Sequence, residues 1–204
     1  MAEPTQPEAP AGGSKDKSAS TRRGRRRLLQ GGLGASPLLL TLVSRPVLGH
    51  DQCFTPSGFV SAPTSQHGEP KACLGRTPGY WKQPQKFGEW PLPYVPVTTT
   101  GPGGKTATLF KTLFPRTPYP ANTTFLQVLE MQGGPPDNVA RHIVAAVLNV
   151  AKGFTPVLTI PQIQRIWDEY MLTGGGTIGY FEPSAGVRWN QAQIVEYLTT
   201  TMPV

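Results

Sequence analysis

The sequence predicts a mainly α fold: a small helical domain with an irregular Pro/Gly-rich N-terminal half, a disulfide stapling its start, and room for one short β-hairpin. Three observations carry this. Residues 122–204 place apolar side chains at helical spacing between clear start and stop signals. Residues 50–121 are rich in Pro, Gly and Thr, yet hold Phe54, Phe59, Trp81, Trp90, Phe110 and Phe114, aromatic area that a solvated linker lacks. The chain has two cysteines, Cys53 and Cys73, both ahead of the helical half.

Residues 1–49 read as a removable address. Residues 1–20 have too little apolar surface to order themselves. Arginines follow, then an uncharged apolar run from Leu28 to Ser44, then Val47-Leu48-Gly49, which suits a signal peptidase cutting after Gly49. The stretch Arg25-Arg26-Arg27-Leu28-Leu29 resembles the twin-arginine export signal, with Arg25, Arg26, Leu28 and Leu29 at the positions the translocase reads. Gly31, Gly32, Gly34, Ser36 and Pro37 dilute the apolar run, and Arg45 follows it, as in that class of signal. The resemblance implies export of an already folded protein to the periplasm or beyond, with the twin-arginine translocase and signal peptidase as partners. A membrane anchor and a cytosolic basic arm are the rival readings. A permanent membrane span needs roughly 20 apolar residues, and this run is shorter and interrupted, so no permanent span is expected.

Charge points the same way. The chain is +7, but residues 1–49 hold eight basic and three acidic side chains, leaving +2 scattered over residues 50–204. A phosphate backbone is gripped by many cations acting together, so no nucleic acid partner is expected. In an exported chain, the two cysteines favour a Cys53–Cys73 disulfide over two unpaired thiols.

The mature part reads as one domain in two halves, 50–121 irregular and 122–204 helical. Leu109 to Phe114 is long enough for one or two helical turns. Asn122 can cap a helix from Thr123 to Gln132 that stops at Gly133-Gly134. Asp137 can cap the strongest helix, with Val139, Ile143, Val147 and Val150 facing the core and Gly153 ending it. Thr159 starts another, with Ile163, Ile166, Trp167 and Tyr170 as its apolar face and Gly174-Gly175-Gly176 as its stop. Thr177–Phe181 and Gly186–Trp189 can pair as a hairpin, and Asn190 caps a last helix through Gln193, Ile194, Tyr197 and Leu198.

Few stretches carry chemistry. Gly101 to Thr106, GPGGKT, has the tail of a phosphate-binding loop, but Thr99 stands where its first glycine belongs, so a flexible loop is the better reading. No cofactor, metal site or catalytic constellation is expected. In CLGRTPGYWKQP, residues 73–84, Thr77 can cap a turn with Pro78 at its first position, and Gly79 permits close backbone approach. Tyr80 and Trp81, with Trp90 nearby, either form a stacking surface for sugar rings or peptides or pack as core. His142 and Asn149 lie seven residues apart and share a helix face, with Ala145 and Ala146 between them, where a second element can pack and be hydrogen-bonded by both.

Two segments together carry a resemblance. Cys73, Gly75, Thr77, Pro78, Gly79, Tyr80, Trp81 and Lys82, followed by Arg141, His142, Ala145, Ala146, Leu148 and Asn149, resemble paired motifs of uncharacterised exported bacterial proteins. Gln83-Pro84 replace the Asn-His that ends the first motif in that group. The resemblance implies an exported helical domain with a disulfide-linked start and supplies no activity. The leading expectation is therefore a non-catalytic module at the bacterial envelope or outside the cell, binding an envelope protein or glycan. Its rivals are a hydrolase-like enzyme pairing His142 with Asp137, Asp168 or Glu182, and an accessory subunit exported with a folded partner.

Overall fold

The computed structural model describes residues 52–61, 71–173 and 179–203. The export signal Arg25, Arg26, Leu28 and Leu29, the Gly49 cleavage point and Gly174-Gly175-Gly176 lie outside these residues. The described part is mainly helical, with two small antiparallel sheets.

The centre is helix α5, Asp137–Ala151, the fifth of seven α-helices among the described residues. It packs against α2 (Pro78–Trp81), α4 (Phe125–Glu130), α6 (Ile160–Thr173) and α7 (Gln191–Thr200). A helix surrounded by neighbours buries more than one stripe. Beyond the expected Val139, Ile143 and Val147, α5 also buries Ala140, Val144, Ala145, Ala146, Leu148 and Asn149, whereas Val150 is half-buried. Pro136, not Asp137, stands at its N-cap position, and Asp137 is its first residue. Gly153 ends it with a φ of 79°, the left-handed conformation that glycine adopts without strain.

The caps explain where the other helices start. Thr124, rather than Asn122, caps α4, and its hydroxyl accepts from the Gln127 N–H while the Gln127 side chain accepts from the Thr124 N–H. The upstream residues are held in extended form: Thr123 O accepts from Phe110 N–H, and Phe125 N–H donates to Thr108 O. The predicted Thr123–Gln132 helix is therefore trimmed at both ends. Thr159 and Gln162 form the same reciprocal pair ahead of α6, as do Asn190 and Gln193 ahead of α7. The hairpin forms with its first strand displaced from the expected Thr177–Phe181, of which Thr177 and Ile178 lie outside the described residues: β3, Phe181–Ser184, pairs with β4, Val187–Trp189, around Ala185-Gly186. Phe181 and Trp189 stand opposite one another and both are buried.

The Pro/Gly-rich half wraps onto these helices. Helix α3, Phe110–Leu113, is one turn that puts Phe110 into the core and leaves Phe114 buried just after it, both against Trp167 of α6. Gly101 to Thr106 is a hydrogen-bonded turn, with Thr99 N–H donating to Lys105 O and Gly104 N–H to Gly101 O. At the start, β1 (Gln52–Cys53) pairs with β2 (Lys71–Ala72), and Cys53 is disulfide-bonded to Cys73. Closing a loop with a sequence separation of 20 contributes about 3 kcal/mol by restricting the unfolded chain. Helix α1, Pro56–Ser61, sets Phe59 against Trp189 and Tyr197, and the Tyr197 hydroxyl donates to Phe54 O.

Candidate functional site

The two motifs meet at one buried side chain. Thr77 caps α2, accepting from Tyr80 N–H, with Pro78 at the first helical position, as the local sequence dictates. The short helix delivers Trp81 into the core, where it is 0% exposed. Asn149 of α5 waits there, equally buried. Its Oδ1 accepts from Arg76 N–H at 2.8 Å and from Trp81 Nε1–H at 3.0 Å, and its Nδ2 donates to Arg76 O at 2.9 Å. One amide thus satisfies three polar groups, the indole N–H of fully buried Trp81 and the N–H and carbonyl of half-buried Arg76.

For Trp81 and Trp90 this placement decides between the two sequence readings, against the stacking surface and for the core. Trp81 and Trp90 are core residues, and Trp90 Nε1–H donates to Trp81 O at 3.1 Å. An indole can be fully buried once its single N–H finds an acceptor, and both have found one inside. Only Tyr80 of the three keeps partial exposure. The close backbone approach is likewise at Gly75, not Gly79. A Cβ at Gly75 would stand 2.2 Å from Thr201 O, whereas one at Gly79 would meet only Thr77 Oγ1 at 3.6 Å. Gly75→Ala is expected to lower stability by about 2 kcal/mol or more. Gly79→Ala is expected to stay within about 0.5 kcal/mol. Urea unfolding of the two variants side by side checks this.

His142 and Asn149 do not act on one incoming element. Seven residues of helix span about 10 Å, and α2 has only four residues, so it reaches Asn149 alone. His142 Nδ1 instead lies 2.7 Å from Asn138 O, one turn back, and must carry the proton to bond a carbonyl. Two of the three proposed acidic partners are occupied elsewhere. Asp137 accepts from the Tyr119 hydroxyl, and Glu182 accepts from Gly186 N–H and lies 3.9 Å from Arg188. Asp168 lines a cavity of about 490 Å³ on α6 with Pro115, Arg116, Glu169 and Leu172.

Burial lowers the His142 pKa, with the Arg141 charge adding to it and the Asn138 carbonyl opposing it. The unfolded chain therefore binds the proton more tightly, so His142 contributes stability above pH about 6.5 that is lost as pH falls below that value. His142→Gln is expected to flatten the rise of unfolding free energy between pH 5 and 7. An unchanged slope would show that the His142 ring titrates alike in the folded and unfolded chains.

Sequence reasoning missed the surroundings of Tyr80. Gln83 and Pro84, the two departures from the motif, start a 3₁₀ turn, Pro84–Glu89, that folds back toward it. The Tyr80 hydroxyl donates to Glu89 Oε2 at 2.5 Å, and Lys86 Nζ donates to Glu89 Oε1 at 2.9 Å while lying 4.8 Å from the Tyr80 ring centre. Arg76 sets its guanidinium 5.2 Å from the Tyr80 ring centre and 5.9 Å from that of Phe154. Lys152, just past the end of α5, donates to Glu89 O at 3.0 Å. Hydrogen bonds from Tyr80 and then Lys86 hold the Glu89 carboxyl below its ordinary pKa, and the bond to Glu89 raises that of Lys86. The i,i+3 spacing of Lys86 and Glu89 was the one sequence signal; Lys152 lies 63 residues away from Glu89.

A second cavity, about 500 Å³, lies between α6 and β3 and shares Glu169 and Leu172 with the first. Its charged walls already bond one another: Arg165 with Glu169 at 2.6 Å, and Glu182 N–H with Glu169 Oε2 at 3.1 Å. Among the described residues, no cluster of His, Cys, Asp or Glu is placed to hold a metal ion, and no helix is long and apolar enough to cross a membrane. No protein-family model matches the chain, and no curated protein or solved structure does.

Proposed function

We propose that this chain is exported through a twin-arginine-type signal at Arg25, Arg26, Leu28 and Leu29, is cut after Gly49, and acts outside the cytoplasm as a non-catalytic binding module. The Cys53–Cys73 disulfide supports an oxidising destination. The carrying observation is where the motif residues and the side chains around them direct their polar groups. Asn149, Trp81 and His142 bond the chain's own interior or backbone, while Arg76, Tyr80, Lys86, Glu89 and Lys152 gather at the surface. Such a division suits a rigid scaffold presenting a charged corner better than a site that moves protons.

The test has two arms. The intact mass of the exported protein should begin at His50 and be two hydrogens lighter than the reduced chain, and Arg25→Lys with Arg26→Lys should leave unprocessed protein in the cytoplasm. Saturable cosedimentation with purified cell envelopes should survive His142→Ala. A full-length mass in the membrane fraction would overturn the address, and a binding defect in His142→Ala would favour the hydrolase-like alternative.

A further inference from the structure

We infer that the corner formed by Arg76, Tyr80, Lys86 and Lys152 around Glu89 docks a carboxylate-bearing acidic polysaccharide. This rests on the binding-module reading and names its partner. The first ground is charge. Residues 50–204 carry only +2 in total, yet three cations gather here around Tyr80 and Glu89, of which only Lys86 bonds the Glu89 carboxylate. Elsewhere the exposed arginines Arg165 and Arg188 lie against Glu169 and Glu182. Among the described residues, neither Arg76 nor Lys152 has a carboxylate partner, since Lys152 bonds only the Glu89 carbonyl and both Glu89 oxygens are taken by Tyr80 and Lys86. The corner therefore holds an excess of two positive charges, with Lys152 exposed and Arg76 half-buried, its Nε buried without a hydrogen-bond partner.

The second ground is geometry. Glu89 itself shows what the corner coordinates: one carboxylate held by a phenol hydroxyl and an ammonium. The Arg76 guanidinium lies against two aromatic rings, Tyr80 and Phe154, which limits its freedom before any ligand arrives. The same contacts occupy the Tyr80 ring with cations, which disfavours stacking of a neutral sugar on it. The two uncompensated charges belong to separate elements, Arg76 before α2 and Lys152 past the end of α5, so a chain carrying repeated single negative charges can engage both.

Titration of the full chain with polygalacturonate at low salt, beside neutral dextran and polyphosphate, tests the assignment. The basic leader is common to every variant, so the differences isolate the corner. Lys86→Gln with Lys152→Gln should weaken polygalacturonate binding about tenfold at low ionic strength. Lys105→Gln with Lys111→Gln, which removes two exposed cations elsewhere, should change it less than about twofold. Glu89→Gln removes the corner's one negative charge and should tighten binding severalfold, which keeps the test decisive if the double lysine variant fails to fold. Equal losses in the two lysine pairs, corner-dependent binding of dextran, or corner-dependent binding of polyphosphate without polygalacturonate would each overturn the inference. Saturable envelope binding that ignores both Lys86→Gln/Lys152→Gln and Glu89→Gln would overturn it while leaving the binding-module reading intact.

Discussion

Asn149→Ala is expected to destabilise the domain by about 3–5 kcal/mol, because each buried polar group left unpaired costs on the order of 1–3 kcal/mol. Three polar groups are at stake: the indole N–H of fully buried Trp81, and the N–H and carbonyl of half-buried Arg76. The side chain is fully buried, so water has no ready route to replace it. Asn149→Asp separates the contributions. It keeps the acceptor for Arg76 and Trp81, loses the donor to Arg76 O, and buries a charge beside a carbonyl. Its stability should rise as pH falls and the introduced carboxyl takes up a proton, a trend opposite in sign to that of the parent. Urea midpoints for the three proteins at pH 5 and 7 read this directly, and a loss under about 1 kcal/mol for Asn149→Ala would show that the joint between α2 and α5 is held by packing alone.

The second large effect is expected at Trp167. Its ring is buried against Phe110, Phe114, Tyr119 and Tyr170, and its Nε1–H donates to Arg116 O at 2.7 Å. It is where the one-turn helix α3 and the chain after it meet α6. Trp167→Ala removes a large core ring and leaves a cavity, a change that typically costs about 3–5 kcal/mol. Against a total stability of about 5–15 kcal/mol for a domain of this kind, that endangers folding at 37 °C. Trp167→Phe keeps most of the ring and loses the bond to Arg116, so it should cost only about 1–2 kcal/mol. Thermal unfolding by circular dichroism distinguishes them; similar losses for both would place the energy in the hydrogen bond rather than in the packing.

These two residues show how unevenly the fold was legible. Trp167 was expected in the core from its spacing with Ile163, Ile166 and Tyr170, because a helix repeats its buried face every three or four residues. Asn149 was placed on the right helix and linked to the TPGYWK segment only by co-occurrence. That it bonds the backbone of Arg76, 73 residues away, follows from no local period. His142 carried the same sequence pattern and ended up bonded within its own helix. Spacing puts two side chains on one face and says nothing about how much of that face a neighbour covers.

What the sequence by itself determined about this protein is local. Helix limits follow from caps and terminators three or four residues from the groups they satisfy, as at Thr77, Asn190 and Gly153. The disulfide partners follow from there being only two cysteines to join. What only the tertiary structure decided is which polar and aromatic groups stay at the surface. Trp81 and Trp90 went inside because interior acceptors met their N–H groups, and Tyr80 stayed outside because a turn begun by Pro84 brought Glu89 and Lys86 to it. Whether a ring is buried depends on finding a partner for its polar edge, and the chain supplies that partner from distant residues only once it has folded.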